Sequence, residues 1–173
     1  MYYYSIDAKG LSSYIFNRSK YNVINESLQS IDNYVIADYQ TISDIPPIIQ
    51  RLRFHNYNNP SFTAFHFSGN SFVNLSSIVI DDDSHKDIRE FVIEDIPNLE
   101  MVTIGSNCFK IDWNQRIDDT FRITNCPNLR QLEIGEKSFV NFKSFELSYL
   151  DSLQSIKFGR QCFCYADCSL KGE

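Results

Sequence analysis

A stretch of this chain is followed by its own copy, and that repetition restricts the fold more than any other feature. Phe121, Ile123, Cys126, Leu129, Leu132, Ile134 and Phe139 recur as Phe145, Leu147, Leu150, Leu153, Ile156, Phe158 and Phe163, each of them 24 positions on. A fixed period of this size marks a solenoid, in which one unit cannot bury its apolar face alone and must stack on a neighbour.

Five copies of one short pattern are visible: Ile49-x-x-Leu52-x-Phe54, Leu75-x-x-Ile78-x-Ile80, Leu99-x-x-Val102-x-Ile104, Leu129-x-x-Leu132-x-Ile134 and Leu153-x-x-Ile156-x-Phe158. Alternation within each copy predicts a short strand with one buried face. Ahead of the strands lie turn signals such as Asp95-Ile96-Pro97-Asn98 and Asn125-Cys126-Pro127-Asn128, where proline's missing N–H does no harm to a ladder. A second alternating pair follows each strand: Phe65 and Phe67, Phe91 and Ile93, Phe121 and Ile123, Phe145 and Leu147, then Cys168 and Leu170. Each coil is therefore two short strands and three bends. The expected fold is an all-β, right-handed solenoid of about five coils over residues 41–173, with two strands per repeat of roughly 24 residues.

Spacing between Ile104 and Phe121 is longer than in the other coils, so a loop should leave the solenoid near residues 110–120. Residues 1–40 carry no copy of the pattern and are expected to form an N-terminal cap or lead-in, since a first coil with a bare apolar end would aggregate. Leu28, Ile31, Tyr34, Val35 and Asp38, at mixed three- and four-residue spacing, predict a short helix across residues 25–39. The last coil looks incomplete, which predicts a longer natural chain or cover from a partner or a second copy.

The string Ile134-Gly135-x-x-Ser138-Phe139-x-x-Phe142-x-x-Phe145, leading through Leu150 and Leu153 to Ile156-x-Phe158-Gly159, resembles the leucine-rich repeats of the BspA-like type. The resemblance covers about residues 41–173. Phe142 stands where that family has cysteine, and Asp83, Asn107, Lys137 and Gln161 stand where leucine-rich repeats carry their asparagine ladder. The resemblance implies protein binding, adhesion or scaffolding, with no catalytic residues to carry over.

A net charge of −6 offers no electrostatic footprint for nucleic acid or an anionic membrane, so neither is an expected partner. No apolar run is long enough for a membrane helix, and the start MYYYSIDAKGLSSYIF lacks a basic region and a cleavage site. Five cysteines, Cys108, Cys126, Cys162, Cys164 and Cys168, leave at least one thiol without an intramolecular partner. Together these features predict a cytoplasmic, reducing location. Use of the sequons at Asn17, Asn25 and Asn74 would instead favour an exported adhesin or glycan-binding module.

No cofactor or metal is expected. Cys162-x-Cys164-x-x-x-Cys168 looks like a thiolate cluster, but Cys162 falls on the repeat position of Ser138 and Cys108, an ordinary site of the coil. The run Asp81-Asp82-Asp83 lacks the glycine turn and distal glutamate of a calcium loop and reads as a solvated corner. The three histidines, His55, His66 and His85, suggest no triad with serine or cysteine, so an enzyme is not expected. His85 aligns with Phe139 and Phe163, which leaves burial and exposure both open for it.

Two candidate binding features remain. Trp113, with Arg116 in the extra loop, is either an anchor for a partner or a ring folded back on the coil edge. On the first strand of each coil the outward positions include Arg51, Arg53, Val79, Met101, Thr103, Gln131, Glu133 and Lys157, which stacking would align into two columns. The expected function is a non-catalytic protein-interaction or structural scaffold, with a protein partner or self-association through the solenoid face or its open C-terminal edge.

Overall fold

The computed structural model describes residues 33–36, 42, 45–55, 64–85, 88–110, 119–164 and 167–171. Within them the chain forms β1 (Tyr34–Ile36), β2 (Arg51–Phe54), β3 (Ala64–Ser68), β4 (Ser77–Ile80), β5 (Glu90–Glu94), β6 (Met101–Ile104), β7 (Thr120–Thr124), β8 (Gln131–Ile134), β9 (Ser144–Ser148), β10 (Ser155–Phe158) and β11 (Asp167–Lys171). Sheet A has six strands in the order β1-β2-β4-β6-β8-β10, and sheet B has five in the order β11-β9-β7-β5-β3. Every pairing is parallel. Parallel strands need a crossover; from β2 onward each crossover between neighbouring strands of sheet A is a strand of sheet B, which makes the chain an all-β solenoid.

Register follows the repeat. Leu52, Ile78, Val102, Leu132 and Ile156 are successive ladder partners, as are Phe54, Ile80, Ile104, Ile134 and Phe158. A slip by one residue would turn each strand's apolar set outward, so the alternation fixes the pairing.

The core between the sheets is built from two columns of rings. Phe65, Phe91, Phe121 and Phe145 stack with centroids 5.2, 5.1 and 5.2 Å apart. Beside them His85, Phe109, Phe139 and Phe163 stack at 5.4, 4.5 and 5.0 Å. Strands in a sheet lie about 4.8 Å apart, close to a favourable stacking distance for rings, so one aromatic per coil forms a continuous column. The columns meet edge to face, as between Phe121 and Phe139 at 4.9 Å and 75°. The structure thus settles His85: it lies inside the core, 2% exposed, as the first ring of a phenylalanine column.

Left-handed backbone makes the corners. Asp83, Asn107, Lys137 and Gln161 have φ between 58° and 62°, and the ring residues two positions on, His85, Phe109, Phe139 and Phe163, have φ between 48° and 58°. Side chains other than glycine are disfavoured there, and hydrogen bonds between coils hold them in place. The Asp83, Asn107 and Lys137 N–H groups donate forward to Ser106, Glu136 and Arg160 carbonyls, and the Phe109 and Phe139 N–H groups donate back to His85 and Cys108 carbonyls. At another corner the Asn98 and Asn128 amides donate to the Val73 and Pro97 carbonyls one coil earlier, at 2.8 and 2.7 Å. An asparagine ladder therefore exists, but on the Pro-Asn-Leu turns.

Gly105, Gly135 and Gly159 mark where coils come closest. A Cβ on Gly135 would lie 2.5 Å from the Gly105 carbonyl carbon and from the Ser106 nitrogen. Backbone cannot yield as a side-chain tip can, so Gly135→Ala should lower stability by about 1–3 kcal/mol through overpacking. Urea denaturation measures it, and an unchanged midpoint would contradict the close approach.

One expectation is corrected. Residues 34–36 are not helical: they form β1, pairing Tyr34, Val35 and Ile36 with Leu52, Arg53 and Phe54. Tyr-Val-Ile suits a pleated strand better than a helix, and pairing with the edge of β2 outweighs a loose helical spacing. Sheet A thus begins before position 41. Asn33 lies in a turn, and residues 25–32 and 37–39 of the predicted helix lie outside the described residues.

Candidate functional site

The outward face of sheet A gathers the residues that the sequence places there. One column runs Arg51, Ser77, Met101, Gln131, Ser155, and the other runs Val35, Arg53, Val79, Thr103, Glu133, Lys157. Odd and even positions of a strand face opposite ways, so the alternation that buries Leu52, Val102 and Leu132 necessarily presents these side chains. Arg51, Arg53, Gln131 and Lys157 are exposed, while Val79, Met101, Thr103 and Glu133 are half-buried. The result is a small apolar centre at Val79 and Met101 with polar and charged residues on either side.

The charges on this face are tied from coil to coil. Arg53 donates to both Asp81 carboxylate oxygens at 3.1 and 3.2 Å, and His55 Nδ1 lies 2.6 Å from Asp81 Oδ2. Burial pulls the Asp81 pKa upward, but hydrogen bonds and charge from His55 and Arg53 outweigh it and hold the carboxyl below its ordinary value. Lys157 Nζ donates to Glu133 Oε1 at 2.6 Å. Exposed pairs of this kind contribute about 0–1 kcal/mol each, so they order the face more than they stabilise the fold.

Sheet B is different. Val92 points outward yet is 1% exposed. Around it Glu94 accepts from Arg122 at 3.2 Å and lies 2.7 Å from His66 Nε2, a bridge over three strands. The Ser148 hydroxyl donates to Thr124 Oγ1 at 2.8 Å.

Trp113 and Arg116 lie outside the described residues. Asn17 and Asn25 also lie outside; Asn74 is exposed at a corner. Among the described residues no group of three or more His, Cys, Asp or Glu side chains is arranged to hold a metal. In the acidic corner, Asp82 Oδ1 accepts the Ser106 N–H at 2.6 Å while Asp81 is engaged as above, so these carboxylates bind coil to coil. Cys108, Cys126, Cys162 and Cys164 are free thiols. Burial pushes Cys108 up to about 12 and Cys126 up to about 11, and it also raises Cys162. High thiol pKa values make poor nucleophiles. Among the described residues no helix is long and apolar enough to cross a membrane.

Sequence reasoning missed the inter-coil charge pairs. Their signal was present as opposite charges one coil apart: Arg53 and Asp81, His66 and Glu94, Glu94 and Arg122, Glu133 and Lys157. In comparisons with known proteins, the chain matches no family model, no curated protein and no solved structure.

Proposed function

We propose that the chain is a non-catalytic protein-interaction scaffold, of the kind that the resemblance to BspA-like leucine-rich repeats implies, and that sheet A's outward face is its recognition surface. One observation carries this reading: eight outward residues predicted from sequence, Arg51, Arg53, Val79, Met101, Thr103, Gln131, Glu133 and Lys157, share one six-stranded face in strict register. An apolar centre with a polar rim is the anatomy of protein interfaces. The non-catalytic reading draws support from the histidines, all of which serve contacts between coils: His55 with Asp81, His66 with Glu94, and His85 in the ring column. The free thiols fit a reducing compartment.

Quantitative affinity capture with the wild type beside Met101→Glu tests the reading. Placing a carboxylate at the centre of the face should weaken capture of a specific protein partner by about tenfold or more, as loss of a central contact does. Undiminished capture by a folded Met101→Glu protein would overturn it.

A further inference from the structure

Among the described residues, the basic side chains of the strands are matched to carboxylates one coil away, with one exception. Arg53 pairs with Asp81, His66 and Arg122 pair with Glu94, and Lys157 pairs with Glu133. Arg51 is the exception. Its ladder partner is Ser77, whose hydroxyl carries no charge, and among the described residues no carboxylate meets its exposed guanidinium.

Arg51 also has basic company. Arg53 and His55 follow it at alternate positions, all three exposed, so a row of basic groups stands along β2 and just past its end. The one carboxylate bound to that row is Asp81, which Arg53 and His55 already share. Two guanidinium groups against one carboxylate leave one guanidinium charge unmatched, in a chain that carries −6 as a whole. Beside the row lies the apolar centre of the face, Val79 one coil on from Arg53 and Met101 two coils on from Arg51.

We infer that this face takes an extended peptide segment of its partner in which an Asp or Glu lies two residues from a large apolar residue, the carboxylate seated on Arg51 and the apolar side chain over Val79 and Met101. The inference rests on sheet A's outward face being the recognition surface, as proposed above, and adds the chemistry of what it recognises.

Spacing selects the interval. Strands in a sheet lie about 4.8 Å apart, which places the midpoint of Val79 and Met101 about 7 Å along the stack from the β2 row. In an extended peptide, side chains two positions apart point the same way about 6.8 Å from each other, whereas those one or three apart point to opposite sides. Charge selects the acid. A guanidinium grips a carboxylate through two parallel hydrogen bonds, and the single unmatched charge fits one carboxylate where a phosphate dianion would exceed it. The apolar side chain supplies the desolvated contact that a central anchor needs.

Binding to an array of synthetic eight-residue peptides, in which Glu, Lys, phosphoserine or Ala stands one, two or three positions to either side of a Leu, tests the inference. Wild type should bind peptides with Glu two positions from Leu at least about tenfold more tightly than their Ala or Lys counterparts, and this advantage should shrink as salt is added. Arg51→Glu, at an exposed site that spares the core, should reverse the preference from Glu to Lys. Met101→Glu should weaken binding of the Leu-containing peptides by about tenfold or more. Equal binding of Glu and Ala peptides, preference for phosphoserine over Glu, a Glu preference that survives Arg51→Glu, or binding to no peptide at all would overturn the inference. Any of these together with loss of partner capture by Met101→Glu would leave the recognition face standing without its acidic ligand, whereas undiminished capture by that variant would remove both.

Discussion

Replacing Phe139 with alanine is expected to lower the unfolding free energy by about 3–5 kcal/mol, the range for deleting a buried aromatic side chain. Phe139 is the point where the two ring columns lock. It stacks on Phe109 at 4.5 Å and Phe163 at 5.0 Å, and it meets Phe121, Phe142 and Phe91 edge-on at 4.9, 4.8 and 5.5 Å. Its ring is fully buried. The cavity would open between coils, where the rigid ladders on both sides resist collapse, so the upper part of the range is expected. Urea denaturation of Phe139→Ala beside Tyr149→Ala measures it. Tyr149 also has left-handed backbone, but its side chain is exposed, so its loss should cost less than about 1 kcal/mol. Equal losses at the two sites would mean that the ring column does not carry the core.

His85→Phe is expected to stabilise the protein, and by more as the solution is acidified. Burial among Phe54, Phe65 and Phe109 holds the imidazole neutral, with its pKa lowered from the ordinary 6.5 to about 3. Between those two values the unfolded chain binds a proton that the folded chain refuses, so stability falls as pH falls through that window and is fully present above it. At pH 4.5 the protonation difference is worth about 2–3 kcal/mol, at 1.36 kcal/mol per pH unit. Phenylalanine, which the next three coils carry at this position, removes that penalty. The depressed Asp81 carboxyl also contributes stability that is lost as pH falls through its folded value, but it is common to both proteins and cancels in the comparison. Denaturation midpoints at neutral and acidic pH should therefore diverge between parent and variant. Parallel curves would show that His85 is not held neutral in the core.

Much of this architecture was legible because the solenoid converts sequence period directly into space. Once Leu75, Leu99, Leu129 and Leu153 were aligned, the ladder partners and the outward columns of sheet A followed from alternation alone. What the repeat did not show falls into two kinds. β1 has no match to the five-copy pattern: its placement comes from pairing with β2, a tertiary effect that local spacing at Tyr34, Val35 and Ile36 could not report. The second kind is side-chain chemistry between coils. His66, Glu94 and Arg122 lie far apart in sequence and become neighbours only when the second strands are set in register. The same holds for Asn98 and Asn128, whose Pro-Asn-Leu context reads locally as a turn and nothing more. Trp113 and Arg116 stand apart from this scheme, since the period says only that their segment is extra.

The solenoid, and with it the proposed recognition face, rests on a single geometric fact, that residues one coil apart lie about 4.8 Å from each other across parallel ladders. Methyl-resolved nuclear Overhauser spectroscopy tests it most directly. The account predicts contacts from Ile78 to Val102 and from Val102 to Leu132, and equally from Ile80 through Ile104 to Ile134. Absence of those contacts from a folded sample, or helical backbone shifts across residues 99–134, would contradict it.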